Sequence, residues 1–278
     1  MDTFRFQRGE TPVLLVLPHV GVLPHVGTFD VQAIAPFAPV SSSRPVTADD
    51  RGAGNHDTDW YLDRLFHFAP ALGAGFLTGS LPRCVADLDC LPAPAVPELV
   101  TTGAESSRRG APGPDDGPVA VTLPHYWQSF HDRLDQEVTA VHSRFGVAVL
   151  LVVQTLADGP GDIGLRADRA APALPRRLNA VISASGQFTP MRAHLGDGAL
   201  TNRYGAPERN IHAVRVGVRR TTFLDDTIGN AVTGGNAVTG RFCNDRAAQL
   251  RPVLERLVGA CTDWALERAH DRHGHHAG

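Results

Sequence analysis

Apolar positions along the chain fall into short solid runs and longer stretches of helical period. Val13–Leu17 is unbroken apolar sequence that stops at Pro18, and it reads as a buried strand. Val147–Val153 is a second such run, mostly valine, and predicts a central parallel strand covered on both faces. Gly75–Gly79 and the β-branched stretch His212–Val218 predict two more strands. Between them, Leu62, Leu65, Phe66, Phe68, Ala69 and Leu72 keep helical spacing and predict one helix over 61–72, closed by Gly73. The clearest amphipathic helix is His125–Arg144, where Trp127, Phe130, Leu134, Val138 and Val141 recur every three to four residues. Ala173–Ser183 and Asp245–His270 are further helices, and Phe29–Val40 a short one. Residues 41–55, 91–124 and 157–169, rich in Gly, Pro, Ser and charge, read as loops. Strands alternating with helices predict one α/β domain over residues 1–270, a mixed or parallel sheet flanked by helices, with 271–278 as a disordered tail.

Composition narrows the function classes. The 278 residues are 42% hydrophobic and 20% charged with a net charge of −3, so neither a nucleic-acid surface nor an anionic membrane surface is advertised. No apolar run approaches the ~20 residues of a membrane span. Met1–Glu10 is polar, so no secretion signal is expected there. The four cysteines lack any C-x-x-C spacing and predict free thiols in a reducing, cytoplasmic compartment.

The candidate chemistry begins where the first strand ends. His19 follows Val13–Leu17 directly, and the carboxyl end of a buried strand suits a metal ligand or catalytic base. The six residues Val16–Gly21 are then repeated as Val22–Gly27, so His25 is a second copy of the same signal. Gly229–Gly234 and Gly235–Gly240 form another tandem pair. Two such duplications read as slipped sequence, since a solenoid needs many more copies.

Residues 56–89 carry Asp57-Thr58-Asp59-Trp60, then Asp63-Arg64-Leu65, then Leu72-Gly73-Ala74, then Arg83 and Asp87-Leu88-Asp89. This order resembles the N-formylglutamate amidohydrolase family, whose version runs D-T-D-W, V-D-R-L-Y, L-G-A and S-R-Y-V-I-D-L-N-R. Pro24–Thr28, Tyr126-Trp127 with Phe130-His131, Thr201 with Tyr204-Gly205, and Ile211–Val214 resemble its other motifs, in order over nearly the whole chain. The resemblance implies a fold related to zinc carboxypeptidases. It implies a zinc-dependent enzyme that splits a small acidic N-acyl amino acid, N-formyl-L-glutamate, into formate and glutamate in histidine breakdown. It further implies His19 or His25 with Asp59 or Asp57 as zinc ligands, Arg83 as binder of a substrate carboxylate, and His212 and Arg203 in the catalytic machinery.

Other positions depart from the family pattern. Its D-x-H-S reads Val152-Val153-Gln154-Thr155, so Gln154 stands where a ligand histidine is expected. Its Q-L-E reads Arg215-Val216-Gly217, which removes a carboxylate that the resemblance implies is catalytic. The Asn-Arg of its D-L-N-R reads Asp89-Cys90. Two readings follow from the sequence: an altered metal-dependent amidohydrolase, or a degenerate member, a pseudoenzyme that binds an acidic small molecule or a protein partner.

Overall fold

The computed structural model describes residues 4–20, 59–81, 83, 87–90, 119–156, 160–191, 195, 198–225 and 241–274. Its centre is a seven-stranded mixed sheet. In chain order the strands are β1 (Phe4–Gln7), β2 (Val13–Leu17), β3 (Gly75–Gly79), β4 (Ala148–Leu156), β5 (Ile163–Arg169), β6 (Pro190–Met191) and β7 (Ile211–Arg219). Their spatial order is β1-β3-β2-β4-β7-β5-β6. β3, β2, β4 and β7 run parallel, while β1 and β5 are antiparallel to β3 and β7. A small pair, β8 (Leu224–Asp225) and β9 (Arg241–Phe242), stands apart.

The helices are α1 (Leu62–Leu65), α2 (Val119–Phe145), α3 (Ala173–Ala184), α4 (Ala199–Tyr204) and α5 (Asn244–Gly274). The period-2 alternation of the central strands sends Val13, Leu15, Val149, Leu151 and Val214 toward one core with α1, α3 and α5. Leu14, Val16, Leu150, Val152 and Ala213 face a second core with Tyr126, Phe130 and Leu134 of α2 and Leu200 of α4. Both faces of β2 and β4 are therefore covered, which is why those strands are apolar at every position through Val153.

Several sequence expectations are corrected. The single helix expected over 61–72 is α1 followed by a 3₁₀ turn at Ala69–Leu72. Tyr61 enters α1 with a left-handed φ of 62° and Pro70 opens the second piece, so one continuous helix is interrupted. Gly73 closes the turn with φ 75°, as its position suggested. Residues 163–169, read as loop because of their charge, form β5 against β7. The loop expected over 91–124 is shortened by α2, which begins at Val119. Helix α5 continues through Gly274, into the stretch expected to be a tail. The helix expected at Phe29–Val40 and the repeats at 229–240 lie outside the described residues. Among the described residues, no helix is long and apolar enough to cross a membrane.

Candidate active site

Four parallel strands end on the same edge, and His19 leaves that edge two residues after β2. Its side chain is fully buried. Asp87 Oδ1 lies 2.9 Å from Nε2, and the Leu88 N–H meets the same nitrogen at 3.2 Å. The carboxylate contact is shorter and charge-assisted, which assigns the proton to Nε2 and leaves the lone pair on Nδ1. On that side Arg83 donates from Nη2 at 3.3 Å, and Asp59 Oδ2 lies 3.7 Å away. Burial pushes the Asp87 carboxyl up, but the His19 hydrogen bond and charge, with Arg83 and Arg215, hold it below its ordinary value.

Asp59 is positioned by neighbouring strands. Its N–H donates to His19 O at 3.0 Å, and its Oδ1 accepts from the Thr155 N–H and Oγ1 at 2.6 and 2.8 Å. Thr155 stands at the carboxyl end of β4, so the β4 edge aims this carboxylate at His19. The other oxygen, Oδ2, is buried and accepts no hydrogen bond among the described residues.

The segment 87–90 is held on every side. Asp89 N–H caps Asp87 Oδ1 at 2.9 Å, and the Leu88 carbonyl accepts from His131 Nε2 at 3.0 Å. Trp127 Nε1 donates to the Cys90 carbonyl at 3.3 Å. Asp89 Oδ1 accepts from the Leu200 N–H at 2.9 Å, and its Oδ2 forms a buried ion pair with Arg215 of β7. Tyr126 OH accepts the N–H groups of Ser80 and Leu81 at 2.8 and 3.1 Å, fixing the chain just before Arg83. The Leu88 peptide thus lies between the His19 and His131 rings, and the Tyr204 hydroxyl lies 2.9 Å from His131 Nδ1.

His131 is a buried neutral ring stacked 3.8 Å from Trp127. Burial is the main cause that drives its pKa down to about 4, against the Leu88 bond that raises it. On acidification the unfolded chain, titrating near 6.5, therefore binds this proton first. The stability contributed by the neutral ring is complete above about pH 6.5. It is lost progressively as pH falls from there to about 4, where the folded state also takes up the proton. Urea unfolding at pH 7 and pH 4.5 is expected to show a loss on the order of 2–3 kcal/mol from this group, and a His131→Gln variant should lack that part of the slope.

Of the other predicted residues, His212 lies far from this cluster. His212 is corrected: it sits at the start of β7, level with Val149 of β4, whereas Asp59 is held by Thr155 at the opposite end of that strand. At ~3.3 Å per residue the two levels are roughly 20 Å apart. Its ring is structural, with Nδ1 accepting from the Ala171 N–H at 3.2 Å, Nε2 at 3.1 Å from Asn210 Oδ1, and Trp264 edge-on at 4.8 Å. Arg203 is exposed on α4, with its guanidinium over the rings of Trp127 and Tyr204 at 5.4 and 5.6 Å. His25 and Asp57 lie outside the described residues. Gln154 is on β4 directly opposite Gly217 of β7. A Cβ added at Gly217 would meet Leu156 Cδ1 at 2.5 Å and Leu195 Cδ2 at 2.7 Å, so leucines fill the space a side chain there would need.

Sequence reading missed the roles of Thr155, Asp89 and Arg215. Asp87 and Asp89 flank Leu88 at a spacing of two, the one sequence signal that both sides of this segment carry a carboxylate. A shallow crevice, with room for about one water, lies elsewhere, between β5, α4 and β7, lined by Arg166, Arg169, Gly198 and Asn202. None of its lining residues belongs to the His19 cluster.

These donors fit two corners of a zinc site. His19 Nδ1 faces the unbonded Asp59 Oδ2, and Asp87 backs the other ring nitrogen as a carboxylate does behind a metal-bound imidazole. The third corner is not filled: among the described residues there is no group of three His, Cys, Asp or Glu side chains that could hold a metal ion.

Comparison with known proteins agrees in one direction. Residues 12–224 match the model of the family described as N-formylglutamate amidohydrolase. The N-formylglutamate deformylase of Pseudomonas aeruginosa is 29% identical over 289 aligned positions, covering 96% of this chain and 98% of that protein. The enzyme of the same name from Pseudomonas putida is 26% identical, covering 95% and 97%. The crystal structure of an N-formylglutamate amidohydrolase from Ralstonia eutropha JMP134 superposes with a TM-score of 0.63 at 19% identity, over 99% of this chain and 100% of that one.

Proposed function

The chain belongs to the N-formylglutamate amidohydrolase family, and from that premise we propose that it hydrolyses the amide bond of a small acidic N-acyl amino acid, N-formyl-L-glutamate first among them. The observation that carries the reading is the His19–Asp59–Asp87–Arg83 cluster, buried at His19 and Asp59, at the carboxyl edge of the parallel strands, where open α/β sheets place their ligands. His19 and Asp59 would hold the zinc ion. When bound, zinc with an open position supplies a water of lowered pKa and polarises the amide carbonyl.

The chain's own residues do the rest. Asp87 keeps the His19 ring in the tautomer whose lone pair faces Asp59. Thr155 fixes which oxygen of Asp59 stays available. Arg83, beside Nδ1, is a cation at the reacting end, suited to the carboxylate adjacent to the scissile amide. Asp87 is the carboxylate of the cluster that retains solvent contact, with its side chain 29% exposed, so it can pass a proton to and from water.

The non-catalytic reading keeps one specific support. Gly217 offers no carboxylate and its surroundings are packed by Leu156 and Leu195. One experiment separates the two: metal analysis of the purified protein together with formate release from N-formyl-L-glutamate. Near-stoichiometric zinc with turnover is expected. Absence of both, in protein that is folded by circular dichroism, would remove the hydrolase reading.

A further inference from the structure

β7 ends in Arg219, and this side chain presents a polar edge that no described residue answers. Its backbone is pinned by the Arg219 N–H to Asp162 O at 2.9 Å. Its Nε and Nη2, the two nitrogens of the fork that binds a carboxylate side-on, are buried with no hydrogen-bond partner among the described residues. Two buried guanidinium nitrogens with no partner among the described residues are costly on a half-buried arginine, and their persistence calls for an explanation in function. Arg215, earlier on the same strand, shows the alternative, because Asp89 neutralises it.

The position of Arg219 relates it to the His19 cluster. Strand alternation puts it on the same face of β7 as Arg215 and Gly217. It lies opposite Leu156, two residues beyond the Gln154–Gly217 level, at the carboxyl edge that also carries His19. The next residue, Arg220, donates from Nε to Thr155 Oγ1 at 3.4 Å, and Thr155 holds Asp59. β7 is two strand spacings from β2, or about 10 Å, a gap shared between a long arginine side chain and an extended ligand.

We propose that Arg219 is a specificity-determining residue that takes the distal, side-chain carboxylate of a dicarboxylic ligand, while Arg83 serves the carboxylate next to the scissile bond. This rests on the hydrolase reading for the identity of the substrate, but not for the binding itself. A fork engaged side-on by a carboxylate satisfies both buried nitrogens at once, and a neutral amide cannot do so with charge.

The test compares wild type with Arg219→Gln and Arg219→Lys. In calorimetric titration, wild type is expected to bind glutarate more tightly than butyrate, and Arg219→Gln to lose about 10- to 100-fold in glutarate affinity. Arg219→Lys, which keeps the charge without the fork, should fall between the two. In the formate assay, the ratio of kcat/KM for N-formyl-L-glutamate over N-formyl-L-glutamine should drop by a similar factor in Arg219→Gln. The ligand-free Arg219→Gln protein should melt no lower than wild type, since no hydrogen-bond partner among the described residues is lost. Equal glutarate affinity in wild type and Arg219→Gln would overturn the assignment, as would a melting point lowered by several degrees. If wild type releases no formate yet glutarate binding depends on Arg219, the hydrolase reading fails and this site stands.

Discussion

His19→Gln is expected to lower formate release from N-formyl-L-glutamate by about 10²- to 10⁴-fold, and to lower zinc retention with it. Glutamine is the informative replacement. Its amide reaches the place of Nε2 and can still donate to Asp87, so the half-buried carboxylate keeps a partner and the fold is spared. What it lacks is the lone pair at Nδ1, the atom that faces Asp59 Oδ2. His25→Gln is the necessary companion, because the tandem repeat puts the same six residues around both histidines. The larger loss should follow His19, the copy that continues directly from β2 into the Asp59–Asp87–Arg83 cluster. A His19→Gln enzyme within about 3-fold of wild type would remove His19 from the mechanism.

The second large effect is on stability. Arg215→Ala is expected to destabilise the protein by about 3–5 kcal/mol, because it leaves the Asp89 carboxylate buried without its counter-ion. For a chain of this size that corresponds to a melting point lower by on the order of 10 °C. Burial, together with the charge of Arg83, already pulls the Arg215 guanidinium below its ordinary pKa, with Asp59 and Asp87 opposing. The pair is therefore part of a larger set of mutually coupled charges. The double variant Asp89→Asn with Arg215→Gln should recover most of the loss, since a neutral amide pair can hydrogen-bond at lower desolvation cost. The amide oxygen introduced by Asp89→Asn would still accept from the Leu200 N–H. Thermal melts of Asp89→Asn alone, Arg215→Gln alone and the double variant form a cycle whose coupling term should be large and favourable. Additive single effects would mean that the two groups are not a pair.

These two residues mark where sequence reading stops. Asp89 is legible as a departure from an Asn, and Arg215 as a departure from a Gln, each a separate defect of the family pattern. In the structure the departures face one another as a charge pair. No local pattern announces this, because Asp89 follows β3 and Arg215 lies in β7, and only the strand order β3-β2-β4-β7 with the return of segment 87–90 brings them into contact. His212 fails for the opposite reason. It matches a family motif and stands in a strand, but at that strand's beginning, and the cluster is at the strands' other ends.

The sequence by itself determined the central strands β2, β4 and β7, the long helices α2, α3 and α5, the α/β class and the family. Burial on both faces of a sheet demands solid apolar runs, and burial on one face of a helix demands a 3.6-residue period, so both leave marks within a few neighbouring residues. It also placed a histidine after β2. Only the tertiary structure decided that His19 meets Asp87 on one ring nitrogen and faces Asp59 on the other, that Thr155 leaves one Asp59 oxygen unbonded, that Leu156 and Leu195 close the space at Gly217, and that Arg219 keeps its fork unpaired among the described residues. Hydrogen bonds and ion pairs act over about 3 Å between segments far apart in the chain, so their partners are set by strand order and register, which no local period encodes.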